Sequence, residues 1–259
     1  MRIPMYQIDA FTGELFGGNP AAVCVLGDWL DDRIMQAIAM ENNLSETAFL
    51  IERPGHFDLR WFTPAAEIDL AGHPTLAAAF AVFEILKPGL REVRFETKSG
   101  TLSVTREKDM LAMDFPATPA TLCNPPDALI KGLGLTPQEV LMSRDHMAVL
   151  SSEAEVLAVK PDFNILRQLD SMGVIITAPG DNSDFVSRFF APKMGIPEDP
   201  VTGSAHCTLI PYWAQRLGKA DLSAVQVSPR KGLLSCRDMG QRVRIAGNAV
   251  LFFSGEIYL

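Results

Sequence analysis

The chain says nearly the same phrase twice, and this repetition narrows the folds open to it more than any bulk property. Arg60-Trp-Phe-Thr-Pro64 leads into Glu67-Ile-Asp-Leu-Ala-Gly-His-Pro-Thr75, and Arg188-Phe-Phe-Ala-Pro192 leads into Glu198-Asp-Pro-Val-Thr-Gly-Ser-Ala-His206. Each phrase then enters a long apolar segment with helical character. A chain written this way reads as two copies of one domain. The first N–H groups of a helix lack internal partners and carry the positive end of its dipole. Two copied helix starts facing one another would therefore form a two-sided site for a small anion.

Bulk properties set the limits around that reading. A length of 259 residues fits one or two domains. The net charge of −8 argues against nucleic acid or an anionic membrane as partner. The greasiest stretch, 77–86, is too short to span a bilayer and is broken by Glu84. The opening Met-Arg-Ile-Pro-Met-Tyr lacks the apolar centre of an export signal. Cys24, Cys123, Cys207 and Cys236 show no C-x-x-C spacing, so four reduced thiols in a cytoplasmic protein are expected.

Strand patterns occupy 5–10, 21–26, 47–52, 57–63, 93–97 and 101–105, with helical periodicity over 31–40 and 73–86. Residues 114–126 hold Pro116, Pro119, Pro125 and Pro126, which suit an extended connector and not a packed element. The boundary falls there, giving repeat domains 1–116 and 117–259, with the last strand free to pack on the first domain. In the second half, 148–150, 173–178, 185–190, 225–228, 233–237, 242–246 and 250–258 read as strands, and 162–170 and 204–217 as helices. Both long helices are apolar nearly all round, which requires protein on every side. The fold class is therefore α/β in the α+β sense: two similar domains, each a curved sheet wrapped around a central helix.

Candidate chemistry gathers in three places. Glu46, in Leu44-Ser-Glu-Thr-Ala-Phe-Leu50, stands where a helix end meets an apolar strand. A carboxylate among such neighbours is expected to resist ionising, which suits general acid–base work; an exposed strand-end glutamate is the plain alternative. In Ala71-Gly-His-Pro-Thr75, Gly72 permits close backbone approach, Pro74 suits a first helical turn, and His73 could pass a proton or cap the helix. In Asp199-Pro-Val-Thr-Gly-Ser-Ala, Thr202 or Ser204 would cap the second helix, Gly203 admits a ligand, and Asp199 offers a second acid; ordinary turn chemistry is again the alternative.

Sharper motifs fail. The run Gly13-Glu-Leu-Phe-Gly-Gly-Asn-Pro20 lacks the Gly-Lys-Ser/Thr ending of a phosphate loop, and Gly203-Ser-Ala-His206 is not a G-x-S-x-G elbow. His56, His73, His146 and His206 have no metal-ligand spacing, so no metal is expected.

Taken together, Asp9-Ala-Phe-Thr, Gly18-Asn-Pro-Ala-Ala-Val, Leu44-Ser-Glu-Thr-Ala-Phe, Trp61-Phe-Thr-Pro and the two repeated phrases span the whole chain. In these the sequence resembles the PhzF-like isomerases of phenazine biosynthesis, whose fold is shared with diaminopimelate epimerase and proline racemase. The resemblance implies two β-barrel-like sheets around central helices, an active site between them, no cofactor, and a homodimer. It implies proton transfer by Glu46 in a small carboxylate substrate, with His73, Asp199 and Ser204 as further catalytic groups. Asn19, Gly72, Thr202 and Gly203 would contact the substrate. The epimerases of this fold carry a cysteine before each helix-start glycine; here those positions are Ala71 and Thr202, which leaves carboxylate chemistry. The basic turn Ser228-Pro-Arg-Lys-Gly232 fits a rim contact or a solvated loop equally well. Two other classes stay open, a non-catalytic small-molecule binder and a protein-interaction member of the same fold.

Overall fold

A computed structural model describes every residue, Met1–Leu259, and the chain divides into two units. The first comprises Met1–Asp114 with Ala246–Leu259, the second Phe115–Ile245. Unit 1 contains β1 (Arg2–Ala10), β2 (Asn19–Leu26), α1 (Asp32–Asn42), β3 (Glu46–Arg53), β4 (His56–Phe62), β5 (Glu67–Ile68), α2 (Gly72–Ala81), β6 (Glu92–Thr97), β7 (Gly100–Glu107) and β8 (Met110–Pro116). The last strand of the chain, β18 (Ala249–Tyr258), pairs with β1. Unit 2 contains β9 (Thr121–Leu122), α3 (Asp127–Leu133), β10 (Glu139–Met142), β11 (His146–Val149), α4 (Glu153–Ala158), α5 (Phe163–Leu166), β12 (Val174–Pro179), β13 (Phe185–Ala191), β14 (Ile196–Asp199), α6 (Gly203–Leu217), β15 (Asp221–Gln226), β16 (Gly232–Asp238) and β17 (Arg242–Gly247).

The pairings repeat. In unit 1, β1–β2 is antiparallel, β2–β3 parallel, β3–β4 antiparallel, β4–β6 parallel and β6–β7 antiparallel. In unit 2, β10–β11, β11–β12, β12–β13, β13–β15 and β15–β16 follow the same alternation. Both units are thus α+β with mixed sheets. The repeated phrase explains how each is braced. Arg60 leaves β4 to grip Glu67 through two parallel bonds of 2.7 and 2.8 Å, and Arg188 leaves β13 to grip Glu198 at 2.8 and 3.0 Å. Each guanidinium also lies over the phenylalanine two residues on, Phe62 at 5.2 Å and Phe190 at 4.9 Å. Each arginine also holds a preceding helix: Arg60 Nη2, already on Glu67, pairs with Asp32 at the start of α1, whereas the remaining Nη1 of Arg188 donates to the Val156 and Val159 carbonyls at the end of α4.

The central helices differ from plain periodicity in two instructive ways. Residues 73–86 were expected as one helix, but α2 ends at Ala81 and Val82–Leu86 forms a π-helical turn. Lys87 N–H reaches Val82 O at 2.7 Å, just before Pro88 forbids further helix. In α6, Pro211 has no N–H for the Cys207 carbonyl, and Thr118 N–H takes that acceptor at 3.0 Å. The proline-rich stretch is therefore tied down along its length: β8 runs to Pro116, Ala117 N–H bonds Gln241 O, and β9 follows. It is extended, as the prolines require, and largely exposed, held by backbone hydrogen bonds more than by buried side chains.

Core placement follows from composition. All of α2 except Gly72 and the half-buried Phe80 is buried, and its alanines let β1, β2, β3 and β18 pack close around it. On the other side of unit 1, Met35, Ile38 and Ala39 of α1 pack with Phe49, Ile51 and Phe62. Burying each large side chain there contributes about 1.5–3 kcal/mol. The helix ends at Asn43, whose φ of 49° supplies the left-handed cap expected of that residue.

Candidate active site

Unit 1 brings three of the expected residues into one line. Glu46 opens β3 beside Ala21 of β2, so Asn19 at the head of β2 and Glu46 emerge at the same end of two parallel strands. His73 is the second residue of α2. Its Nε2 lies 3.0 Å from Glu46 Oε2, and its Nδ1 lies 3.1 Å from Asn19 Nδ2. An amide nitrogen only donates, so Nδ1 accepts and the ring hydrogen sits on Nε2, which comes close to the carboxylate without the alignment of a hydrogen bond. Ser45 Oγ donates to Asn19 Oδ1 at 3.5 Å, the outer limit of such a bond, which is consistent with that amide orientation. The side chains are 6% (His73) and 12% (Glu46) exposed, and Asn19 is wholly buried.

The amides of α2 are left open by local sequence. Ala71 in the capping position has no side-chain acceptor, and Gly72 adds no bulk. Thr75 turns its hydroxyl inward to Ala71 O at 2.5 Å. An uncapped helix start next to a histidine–glutamate pair can hold a carboxylate and move a proton beside it.

Unit 2 builds its helix start differently. Sequence pointed to Thr202 or Ser204 as the cap of α6, but neither hydroxyl caps it. Thr202 occupies the cap position and donates to Asp199 Oδ2 at 2.5 Å, while Ser204 lies inside the helix and accepts from Arg144 Nη2 at 2.8 Å. Asp199 and Thr202 are further locked by Gln226, fully buried at the end of β15. Its Oε1 accepts from Thr202 N–H at 2.8 Å and its Nε2 donates to Asp199 O at 2.7 Å. Gly203 opens α6 between these two sets of bonds.

Gln226 and Arg144 were not singled out from sequence. The signal for Gln226 was a lone amide in an apolar strand, Ala224-Val-Gln-Val227, and its partners lie at the far end of a loop. Arg144 sits in the turn between β10 and β11 and also holds Asp145 at 3.1 Å. His206 is fully buried and donates through Nδ1 to Thr202 O at 2.8 Å. Burial holds its pKa down to about 4, so the ring is neutral near neutral pH. Burial likewise pushes the Cys207 thiol up to about 12, which makes it a packing residue. No three His, Cys, Asp or Glu side chains converge as a metal-donor set.

Comparison with known proteins adds a consistent picture. The sequence profile of the family described as phenazine biosynthesis-like protein (PhzC–PhzF) matches residues 8–255. A Pseudomonas aeruginosa protein described as an uncharacterized isomerase is 52% identical over 259 residues, covering the whole of both chains. The crystal structure of a PhzF-family phenazine biosynthesis protein from Enterococcus faecalis is 48% identical, covers all of both chains and superposes with a TM-score of 0.98. A PhzC/PhzF protein of Clostridium difficile is 46% identical with a TM-score of 0.95, over 99% of this chain and all of the other.

Proposed function

Because this chain belongs to the phenazine biosynthesis-like PhzC/PhzF family, we propose that it is an isomerase that moves a proton within a small carboxylate-bearing molecule, without a cofactor. The observation that carries this reading is the 3.0 Å approach of His73 Nε2 to Glu46 Oε2 beside the uncapped start of α2. Its relatives described as isomerases support the reaction class.

In the proposed mechanism the substrate carboxylate accepts from the open amides of α2, where the dipole favours negative charge. Glu46, ionised, takes a proton from an activated carbon; the C–H electron pair passes into the adjacent π system and leaves a delocalised anion. Glu46, now a carboxylic acid, returns the proton to another carbon of the same molecule. Atoms balance, and no oxidant or external acid is consumed. In this proposal His73, 3.0 Å from Glu46, turns to donate to it once substrate binds, while Asn19 fixes the ring tautomer. At the start of α6, Ser204 accepts from Arg144, which leaves its own O–H free to donate to a ligand, and Asp199 is bonded to Thr202 beside Gly203. Each sheet curves around its central helix, a reading supported by the apolar girth of α2.

Glu46→Gln keeps the side-chain shape and removes the base. On the first carboxylate that the wild type converts in a panel of small unsaturated and amino acids, this variant is expected to lose about 10²–10⁴ in rate with its fold intact. Full activity in the folded variant would refute the assignment.

A further inference from the structure

In unit 2 a buried carboxylate holds one arginine against the start of α6. The turn Ser143-Arg-Asp145 joins β10 to β11, and two of its residues reach α6 at positions one helical turn apart. Arg144 Nη2 donates to Ser204 Oγ at 2.8 Å, and the Ser143 hydroxyl lies 3.3 Å from that of Thr208. Thr208 in turn meets the Thr118 hydroxyl at 2.9 Å. We infer that Arg144 is a specificity-determining residue: with the Ser204 hydroxyl it selects ligands that present an ionised carboxylate to the start of α6 over their neutral counterparts.

The hydrogens of the guanidinium can be followed one by one. The group has five N–H bonds and accepts nothing. Nε and one hydrogen of Nη2 go to Asp145 Oδ2, at 3.2 and 3.1 Å, and the other hydrogen of Nη2 goes to Ser204. Nη1 has no part in these bonds, which leaves its two N–H groups for a ligand, and the Arg144 side chain is 53% exposed. Ser204 can only accept from a guanidinium, so its own O–H points elsewhere. Two donors, one of them charged, therefore stand side by side. They match the two oxygens of a carboxylate, whereas a primary amide sets an N–H against one of them.

The carboxylate behind the arginine points the same way. The Asp145 side chain is only 2% exposed, and its Oδ1 has no hydrogen-bond partner, so its hold is on Arg144. Burying a charge is costly, and a mere brace between turn and helix does not need one, because Ser143 already meets Thr208. Fixing the plane of a guanidinium that has to meet a ligand does need a rigid support. Recognition of an anion also has to be local here, since the chain as a whole carries a net charge of −8. The inference rests on the proposal that the start of α6 faces a ligand, and it is independent of the proton chemistry assigned to Glu46.

Ligand-observed NMR with a panel of small unsaturated and amino acids, each measured beside its primary amide at neutral pH, tests this. The wild type is expected to bind at least one acid about tenfold more tightly than its amide. Arg144→Gln should bring the two within about twofold of each other, and Arg144→Lys, which keeps the charge without the fork, should restore part of the preference. Arg144→Gln also strands the buried Asp145 carboxylate, so the double variant with Asp145→Asn carries the same test without an unpaired charge. Arg216→Gln, at the far end of α6, should leave the preference unchanged. Deuterium uptake by the same compounds reports the proton chemistry separately, so failure of either reading is seen by itself. A wild type that binds no acid of the panel better than its amide, or a preference that survives in the folded double variant, overturns the inference.

Discussion

The two units share a frame and differ at the mouths of their central helices. Strand alternation and the Arg–Glu brackets repeat from one to the other, and even an inward bond of the helix is repeated. Three residues after each opening glycine, a side chain donates back to the capping residue's carbonyl: Thr75 to Ala71 in α2, His206 to Thr202 in α6. At the mouths the likeness stops. Unit 1 sets an imidazole 3.0 Å from a carboxylate, Glu46. Unit 2 ties its acid, Asp199, to a hydroxyl that is itself fixed by Gln226. A duplicated frame thus supplies two helix starts, one beside a histidine and a glutamate, the other beside an acid tied to its own cap residue.

The comparison can be broken at the brackets. Arg188→Met leaves a largely buried glutamate facing an apolar chain and is expected to cost about 3 kcal/mol of unfolding free energy in urea titrations; Arg60→Met, whose Glu67 keeps Lys98, is expected to cost less. Arg188→Met should be the worse of the two, since it also frees the Val156 and Val159 carbonyls. If one bracket proves neutral, the equivalence of the units fails there.

An effect of similar size separates His206 from its counterpart Thr75, which does not titrate. The unfolded imidazole takes its proton near pH 6.5 and the folded one only near 4. Between those values the unfolded chain binds more protons, so this contribution is whole above pH 6.5 and is lost as pH falls toward 4. The loss amounts to roughly 3 kcal/mol. His206→Gln cannot titrate, so the stability gap between wild type and variant should shrink, or reverse, from pH 7 to 4.5. A gap that widens on acidification would contradict the buried neutral ring. The smallest effect is expected at Gln226, which has no equivalent in unit 1. Gln226→Leu leaves Thr202 N–H without its side-chain acceptor and should lower thermal stability by about 1–2 kcal/mol.

Much of this was legible before any coordinates, and the reasons are physical. The repeated Arg-aromatic-Phe and Glu…Gly spacing fixed attention on two strand-to-helix passages, because an ion pair and a helix start depend on local order in the chain. Glu46 and His73 stood out for their neighbours, and they meet at 3.0 Å although 27 residues apart. Other features depend on distant partners and left little trace. In β8, Met110-Leu-Ala-Met-Asp-Phe has no β-branched residue to mark it as a strand. The π turn after Ala81 keeps the apolar content of a helix, so periodicity alone cannot separate the two. Thr202 and Ser204 looked like caps by residue type, but Asp199, three residues before Thr202, takes one hydroxyl and the distant Arg144 takes the other.

Hydrogen exchange with solvent tests the central claim most directly. Small carboxylates incubated with the protein in heavy water, read by mass and by proton NMR, are expected to include one compound that isomerises and gains deuterium on carbon, with that gain largely lost in Glu46→Gln. If a compound is bound but never labelled, or if it is labelled equally by the variant, Glu46 does not carry the proton.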